Sequence, residues 1–162
     1  MAVINAYVVT QDGAKTPGAR GGKVVILAGT FETVATDSAG SKYRLAKLSG
    51  DLVPIQLELN SDSIAGTDDL DIGLYETLEK GGAVKDADYY LDGGDFTGGK
   101  AIGSEQNGLA DIPVADLGKT VAVNAGDTVA TPAMEYDLVL TSNNAVTGAG
   151  TISWRGVFVR TA

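Results

Sequence analysis

The chain has 162 residues, 44% apolar and 20% charged, which is enough for one domain with a real core. It contains no Cys and no His, which excludes disulfides, thiol chemistry, thiolate or histidine metal sites, and a Ser-His-Asp triad. Its formal charge of −9 argues against nucleic acid and anionic membrane as main partners.

The start, MAVINAYVVTQDG, lacks a basic leader region and a long apolar stretch, so no signal peptide is expected. No apolar run reaches the length of a membrane span. A strand is expected over 3–10, followed by QDGAKTPGARGG, a loop or flexible arm built from turn formers. Further strands are expected at 23–28, 30–36 and 42–48. The alternation of the last breaks near Ala46–Lys47, as a β-bulge would require.

Residues 52–60 alternate cleanly, with Val53, Ile55, Leu57 and Leu59 on one side and Pro54, Gln56, Glu58 and Asn60 on the other. Residues 69–76 place Leu70, Ile72 and Leu74 inward and Asp69, Asp71 and Tyr75 outward. These two segments read as adjacent antiparallel strands, each with one wet face. Residues 77–111 are Gly- and Asp-rich, with short strands around Tyr89–Leu91 and Ala101–Ile102, and only 113–125 carries a helical pattern. The C-terminal end alternates again. Met134, Tyr136, Leu138 and Leu140 oppose Glu135, Asp137, Val139 and Thr141, and Ile152, Trp154 and Phe158 oppose Thr151, Ser153 and Arg155. With SNNAVTGAG between them, they read as a long hairpin.

Many short strands and little helix predict an all-β fold, an antiparallel β-sandwich or barrel of jelly-roll or Ig-like kind. Residues 1–24 form its N-terminal strand and flexible basic arm. Residues 25–162 form the sandwich, within a single domain.

No set of residues assembles a reaction. Asp86, Asp88, Asp92 and Asp95 are calcium candidates by residue type. Counted from Asp86, however, an EF-hand would need Gly and Glu where Leu91 and Thr97 stand. A solvated acidic loop fits them better, and Asp62, Asp68, Asp69 and Asp71 read the same way. The glycine strings contain no phosphate-binding motif. No enzyme activity, cofactor or required metal is expected.

The charge is split unevenly. Residues 1–50 hold six basic and three acidic residues, whereas residues 51–162 hold six basic and eighteen acidic ones. Lys15, Arg20 and Lys23 are therefore candidates for contact with an acidic partner. Val157 and Val159 are apolar on a face where water is expected, which marks a surface covered by another sheet, a partner or a neighbouring copy as a subunit interface.

Three stretches carry a resemblance: YRLAKLSGDLVPIQLELNSDSIAGTDDLDIGLYE (43–76), KDADYYLDGGDFTGGKAIGSEQNGLADIPVADLGKTV (85–121) and EYDLVLTSNNAVTGAGTISWRGVFVR (135–160). Covering roughly three-fifths of the chain, they resemble small β-rich structural proteins of tailed bacteriophages, often encoded among head genes. The resemblance implies a virion component, foremost a capsid decoration (cement) protein. Such a protein would be made in the host cytoplasm and seated on the capsid exterior, with the major capsid protein and further copies of itself, as a trimer, for partners. The alternatives are a tail, neck or fibre-associated phage β-domain and, from another class, a carbohydrate-binding β-sandwich module. Residues 1–42 lie outside the resemblance, so contact through Lys15, Arg20 and Lys23 rests on charge alone.

Overall fold

A computed structural model describes residues 3–5, 7–12, 23–128, 130 and 133–160. The strands are β1 (Val3–Asn5), β2 (Tyr7–Asp12), β3 (Val24–Thr33), β4 (Ser41–Ser49), β5 (Leu52–Ser61), β6 (Leu70–Glu76), β7 (Val84–Gly94), β8 (Gln106–Asn107), β9 (Glu135–Ser142) and β10 (Gly150–Arg160). They form two sheets. The order is β1-β4-β9-β6-β7 in sheet A and β2-β3-β10-β5-β8 in sheet B. Pairing is antiparallel except at β1–β4. The fold is an all-β sandwich with little helix. The helical pattern at 113–125 yields one 3-10 turn (Val114–Asp116) and a single helix, α1 (Val121–Asn124).

The core is drawn from the inner faces of both sheets, because alternation commits one side of each strand to burial. Leu57 and Leu59 of β5, Leu70, Ile72 and Leu74 of β6, and Tyr136, Leu138 and Leu140 of β9 are all buried there. So are Ile152, Trp154 and Phe158 of β10, as the alternation predicts. Phe31 and Tyr43 stack between the sheets with centroids 4.9 Å apart. Leu45 is the extra residue of a bulge between β4 and β9, just before the predicted break, so Tyr43, Leu45, Ala46 and Leu48 are all buried.

Several expectations are corrected. Strands expected at 23–28 and 30–36 are one strand, because β10 pairs without interruption from Val24 to Thr33. Strands β5 and β6 are not neighbours, and β9 and β10 are not a hairpin. In each case the first strand lies in one sheet and the second in the other. Their connections, 62–69 and 143–149, are arches that cross the roughly 10 Å between packed sheets. Ile55 is not core: it is 56% exposed. Gln56 pairs with Val157 and Pro54 with Phe158, so Ile55 is the extra residue of a bulge, and beyond it the strand's facing inverts. Pro54 is consequently buried, and Val53, though buried as expected, pairs with Val159 on the other side of the sheet from Pro54.

The expected wet face of β6 and β9 is also buried. Asp71, Tyr75, Asp137, Val139 and Thr141 all turn outward, yet all are enclosed. The cause is β7. Leu74 pairs with Asp86 and Ile72 with Leu91, so residues 87–90 stand against Gly73 alone and fold across the outside of β6. The Tyr75 hydroxyl is 3.0 Å from the Thr141 hydroxyl, and Lys42 Nζ sits 4.6 Å from the centre of its ring.

The two arches hold one another. Asn143 Nδ2 donates to Asp69 (3.0 Å) and Asp71 (2.7 Å), Asn144 Nδ2 donates to Asp68 (3.1 Å), and the Thr151 N–H donates to Asp62 (3.0 Å). These four aspartates were expected to be solvated surface. Asp62 and Asp68 are exposed as expected, Asp69 is half-buried and Asp71 is buried, and all four accept hydrogen bonds that clasp this end of the sandwich.

Burial raises the hydroxyl pKa values of Tyr43, Tyr90 and Tyr136 well above the usual tyrosine range. Asp37 adds to the effect at Tyr43, and Asp127 at Tyr136. Raised folded values mean that the native state holds these protons more tightly than the unfolded chain. The stability they contribute is therefore intact below about pH 10 and is lost as pH rises further. Base titration should show unfolding and tyrosinate absorbance rising together above about pH 10. Tyrosinate absorbance that rises while the fold persists would contradict the burial.

Candidate interaction surface

Sheet B presents its outer face to solvent through β3, β10 and β5. Register fixes which side chains share a row. At one end, Thr30, Ser153 and Asn60 lie side by side, followed by Ala28, Arg155 and Glu58. Arg155 Nη2 donates to Glu58 at 2.6 Å, and Thr30 and Ser153 join hydroxyls at 3.1 Å. With Ile102 and Glu105 from the 95–105 loop, these residues line an open groove of about 650 Å³. Ile102 is 89% exposed at its rim.

The Gly103 N–H donates to Glu105 at 2.9 Å and holds its carboxyl below the usual range, the wrong direction for a general acid. Trp154, 3% exposed, belongs to the core, so its indole gives a sugar no stacking face.

The other end of the same face is aliphatic. Val159 pairs with Val24 on one side and Val53 on the other. One row along, Val157 lies between Ile26 and Gln56, next to the bulged Ile55. Val157 and Val159 are half-buried by these neighbours. The sequence marks the two β10 valines as a surface to be covered. It does not mark Ile55, although Pro54 inside a strand is the signal that a bulge was available.

Lys23 immediately precedes β3 at this end and is exposed, its carbonyl accepting the Arg160 N–H at 2.9 Å. Lys15 and Arg20 lie outside the described residues. Both belong to the connection between Asp12, which pairs with Val25, and Val24, so that connection starts and finishes at the aliphatic end.

The four calcium candidates do not converge. Asp95 accepts the N–H and hydroxyl of Thr97 at 2.8 and 2.7 Å, which lowers its pKa. Asp86 is half-buried, and burial followed by the neighbouring Asp88 raises its carboxyl. Asp92 is exposed and raised chiefly by the charge of Asp71. Among the described residues, no three Asp or Glu side chains are grouped so as to hold a metal ion.

No protein-family model matches the sequence, and no curated protein matches it. Among solved structures, the fold is similar to a chain of the cyanophage Pam1 capsid asymmetric unit. That match has 11% identity and a TM-score of 0.53, and it covers 93% of this chain and 94% of that one. A chain of the capsid of Ralstonia phage GP4 is also similar, at 17% identity and a TM-score of 0.47 over 99% of each chain. At such identities the Pam1 likeness establishes the sandwich fold.

Proposed function

We propose that this chain is a virion structural protein of a tailed bacteriophage, without enzymatic activity, acting as a decoration protein on the outside of the head shell. The carrying observation is that its sandwich superposes on a chain of a phage capsid asymmetric unit over nearly the full length of both. The stretches 43–76, 85–121 and 135–160, which resemble small structural proteins of tailed bacteriophages often encoded among head genes, support the virion reading.

In this reading the chain is made in the host cytoplasm, binds the major capsid protein, and associates with itself as a trimer. Attachment uses Lys15, Arg20 and Lys23 against an acidic shell surface. The chain's charge of −9 keeps it soluble before assembly. Many weak contacts on a repeating lattice add through avidity.

The test is a variant with Lys15, Arg20 and Lys23 all changed to Ser, added to isolated heads that lack the protein. Exposed ion pairs contribute about 0.2–1 kcal/mol each, so binding should weaken by about tenfold at ordinary ionic strength. The difference should shrink in high salt. Melting and self-association should match the parent. Equal binding by the variant would remove these three residues as the attachment element. Electron microscopy of intact particles checks the location directly, since density on the tail rather than the head would overturn the decoration reading.

A further inference from the structure

Of the six asparagines in the chain, only Asn107 is followed by glycine. The pair lies at the edge of sheet B, where the two residues of β8 add themselves to β5. Gly108 is matched to its packing, because a Cβ there would stand within 2.8 Å of side-chain atoms of Leu57 and Leu59. With no Cβ, its backbone nitrogen is also the least hindered of nucleophiles, and the Asn107 side chain beside it is exposed. Two hydrogen bonds act on this pair in opposite directions. The Leu109 N–H donates to Asn107 Oδ1 at 3.0 Å, which polarises the side-chain carbonyl and stabilises negative charge developing on its oxygen. The Gly108 N–H donates to the Leu57 carbonyl at 2.8 Å, which ties up the nitrogen while β8 stays paired. A strand this short opens at a small fraction of the cost of global unfolding.

We infer that Asn107 is a self-modification site, gated by β8: when the strand opens, the Gly108 nitrogen attacks the Asn107 side chain. That nitrogen gives its proton to water and bonds to Asn107 Cγ. The Cγ–Nδ2 bond breaks, and Nδ2 takes a proton and leaves as ammonia. Ring closure within one chain makes the attack effective. One water then opens the resulting succinimide at either carbonyl, giving aspartate or isoaspartate. Asparagine and water become a carboxylate and ammonium, and nothing is oxidised or reduced. The product carboxylate joins Glu58 and Glu105 in a shallow pocket of about 320 Å³ that these residues line with Gln56. Arg155 is already bound to Glu58, which lies directly across from Asn107. Like charges opposed across a strand pair weaken it, and isoaspartate adds a methylene to the backbone that breaks its register. The modification is therefore a one-way loosening of β8 from β5. It does not depend on where the chain sits in a virion.

The test incubates the full chain at mildly alkaline pH in heavy-oxygen water, once folded and once in guanidinium chloride, and maps the products by peptide mass spectrometry. The folded chain should convert at Asn107 before any other asparagine, incorporating heavy oxygen and giving both aspartate and isoaspartate. Its rate should be lower than in denaturant by between about tenfold and a thousandfold, since only the open strand reacts. In both the converted chain and an Asn107→Asp variant, the Gly108 amide should exchange hydrogen at least about tenfold faster than in the parent, with β3 and β10 unchanged. Asn107→Gln, which cannot close the same ring, should show no conversion in this peptide. Equal rates in the folded and denatured chains overturn the gate. A folded rate more than a thousandfold below the denatured one, or conversion that begins at another asparagine, overturns the site. Unchanged exchange at Gly108 in the converted chain overturns the loosening.

Discussion

Replacing Gly73 with alanine is expected to destabilise the protein by at least about 3 kcal/mol, the upper end of what overpacking ordinarily costs. Gly73 faces outward on β6, where the backbone of Asp86 and Ala87 crosses directly over it. A Cβ there would fall within van der Waals contact of both residues' main chains. Backbone cannot rotate away as a long side chain can, so the whole crossing must lift. That crossing is tied at both ends. Val84 pairs with Tyr75, the Glu76 N–H donates to the Ala83 carbonyl at 2.7 Å, and the Gly93 N–H donates to Asp71 at 3.0 Å. Tyr90, at the end of the crossing, and Leu91, just after it, are both core residues. Lifting the crossing therefore strains packing and hydrogen bonds together. Urea denaturation measures the loss. Gly98→Ala is the control, with open space around the added methyl group, and should change little. A Gly73→Ala protein within about 0.5 kcal/mol of the parent would show that β7 does not lie over β6 in solution.

Breaking the buried Arg44–Asp137 pair is expected to cost about 3–5 kcal/mol from either side, whereas Arg44→Met with Asp137→Leu should recover most of the loss. The pair lies on the outer face of sheet A beneath the 77–83 turn, with both side chains nearly inaccessible. Arg44 Nη1 bonds Asp137 and reaches the Glu76 carbonyl at 3.4 Å, while its Nε is buried with no partner. Burial holds the Asp137 carboxyl above its ordinary range, with Arg44 pulling it part of the way back. The sign follows from that direction. The folded state binds this proton more tightly than the unfolded chain, so Asp137's contribution falls as pH rises from the ordinary carboxylate value to its raised folded one. Removing Arg44 takes away the opposing charge, so Arg44→Met should lose stability steeply as pH rises through the carboxylate range and above it. Asp137→Asn leaves a stranded guanidinium that cannot deprotonate, and its loss should be nearly independent of pH. Melting curves across acid and neutral pH separate the two. A double variant as unstable as the single losses combined would show that the pair is a net source of stability rather than a replaceable one.

Strand identity was legible in the sequence because alternation is a local property. Every second side chain meets the same environment, and a run such as Tyr136, Leu138, Leu140 states its inner face without reference to any other strand. The inner sets of β6, β9 and β10 were readable in this way, as was the irregularity in β4. The uneven charge was equally visible, since it requires only counting.

Strand partnership was not legible. A connection such as 62–69 or 143–149 can close a hairpin or arch between sheets, and its own composition does not distinguish them. The choice is made by the core that forms when apolar faces from distant segments meet. The same holds for Ile55, whose exposure follows from the two-against-one pairing of β5 with β10, and for the buried outer face of β6, which depends on β7 crossing Gly73. By itself, then, the sequence determined a β-rich chain with named inward residues and a basic segment near its start. Only the tertiary structure decided that Val24, Ile55 and Val159 share one end of a sheet, because cross-strand register joins residues more than a hundred positions apart.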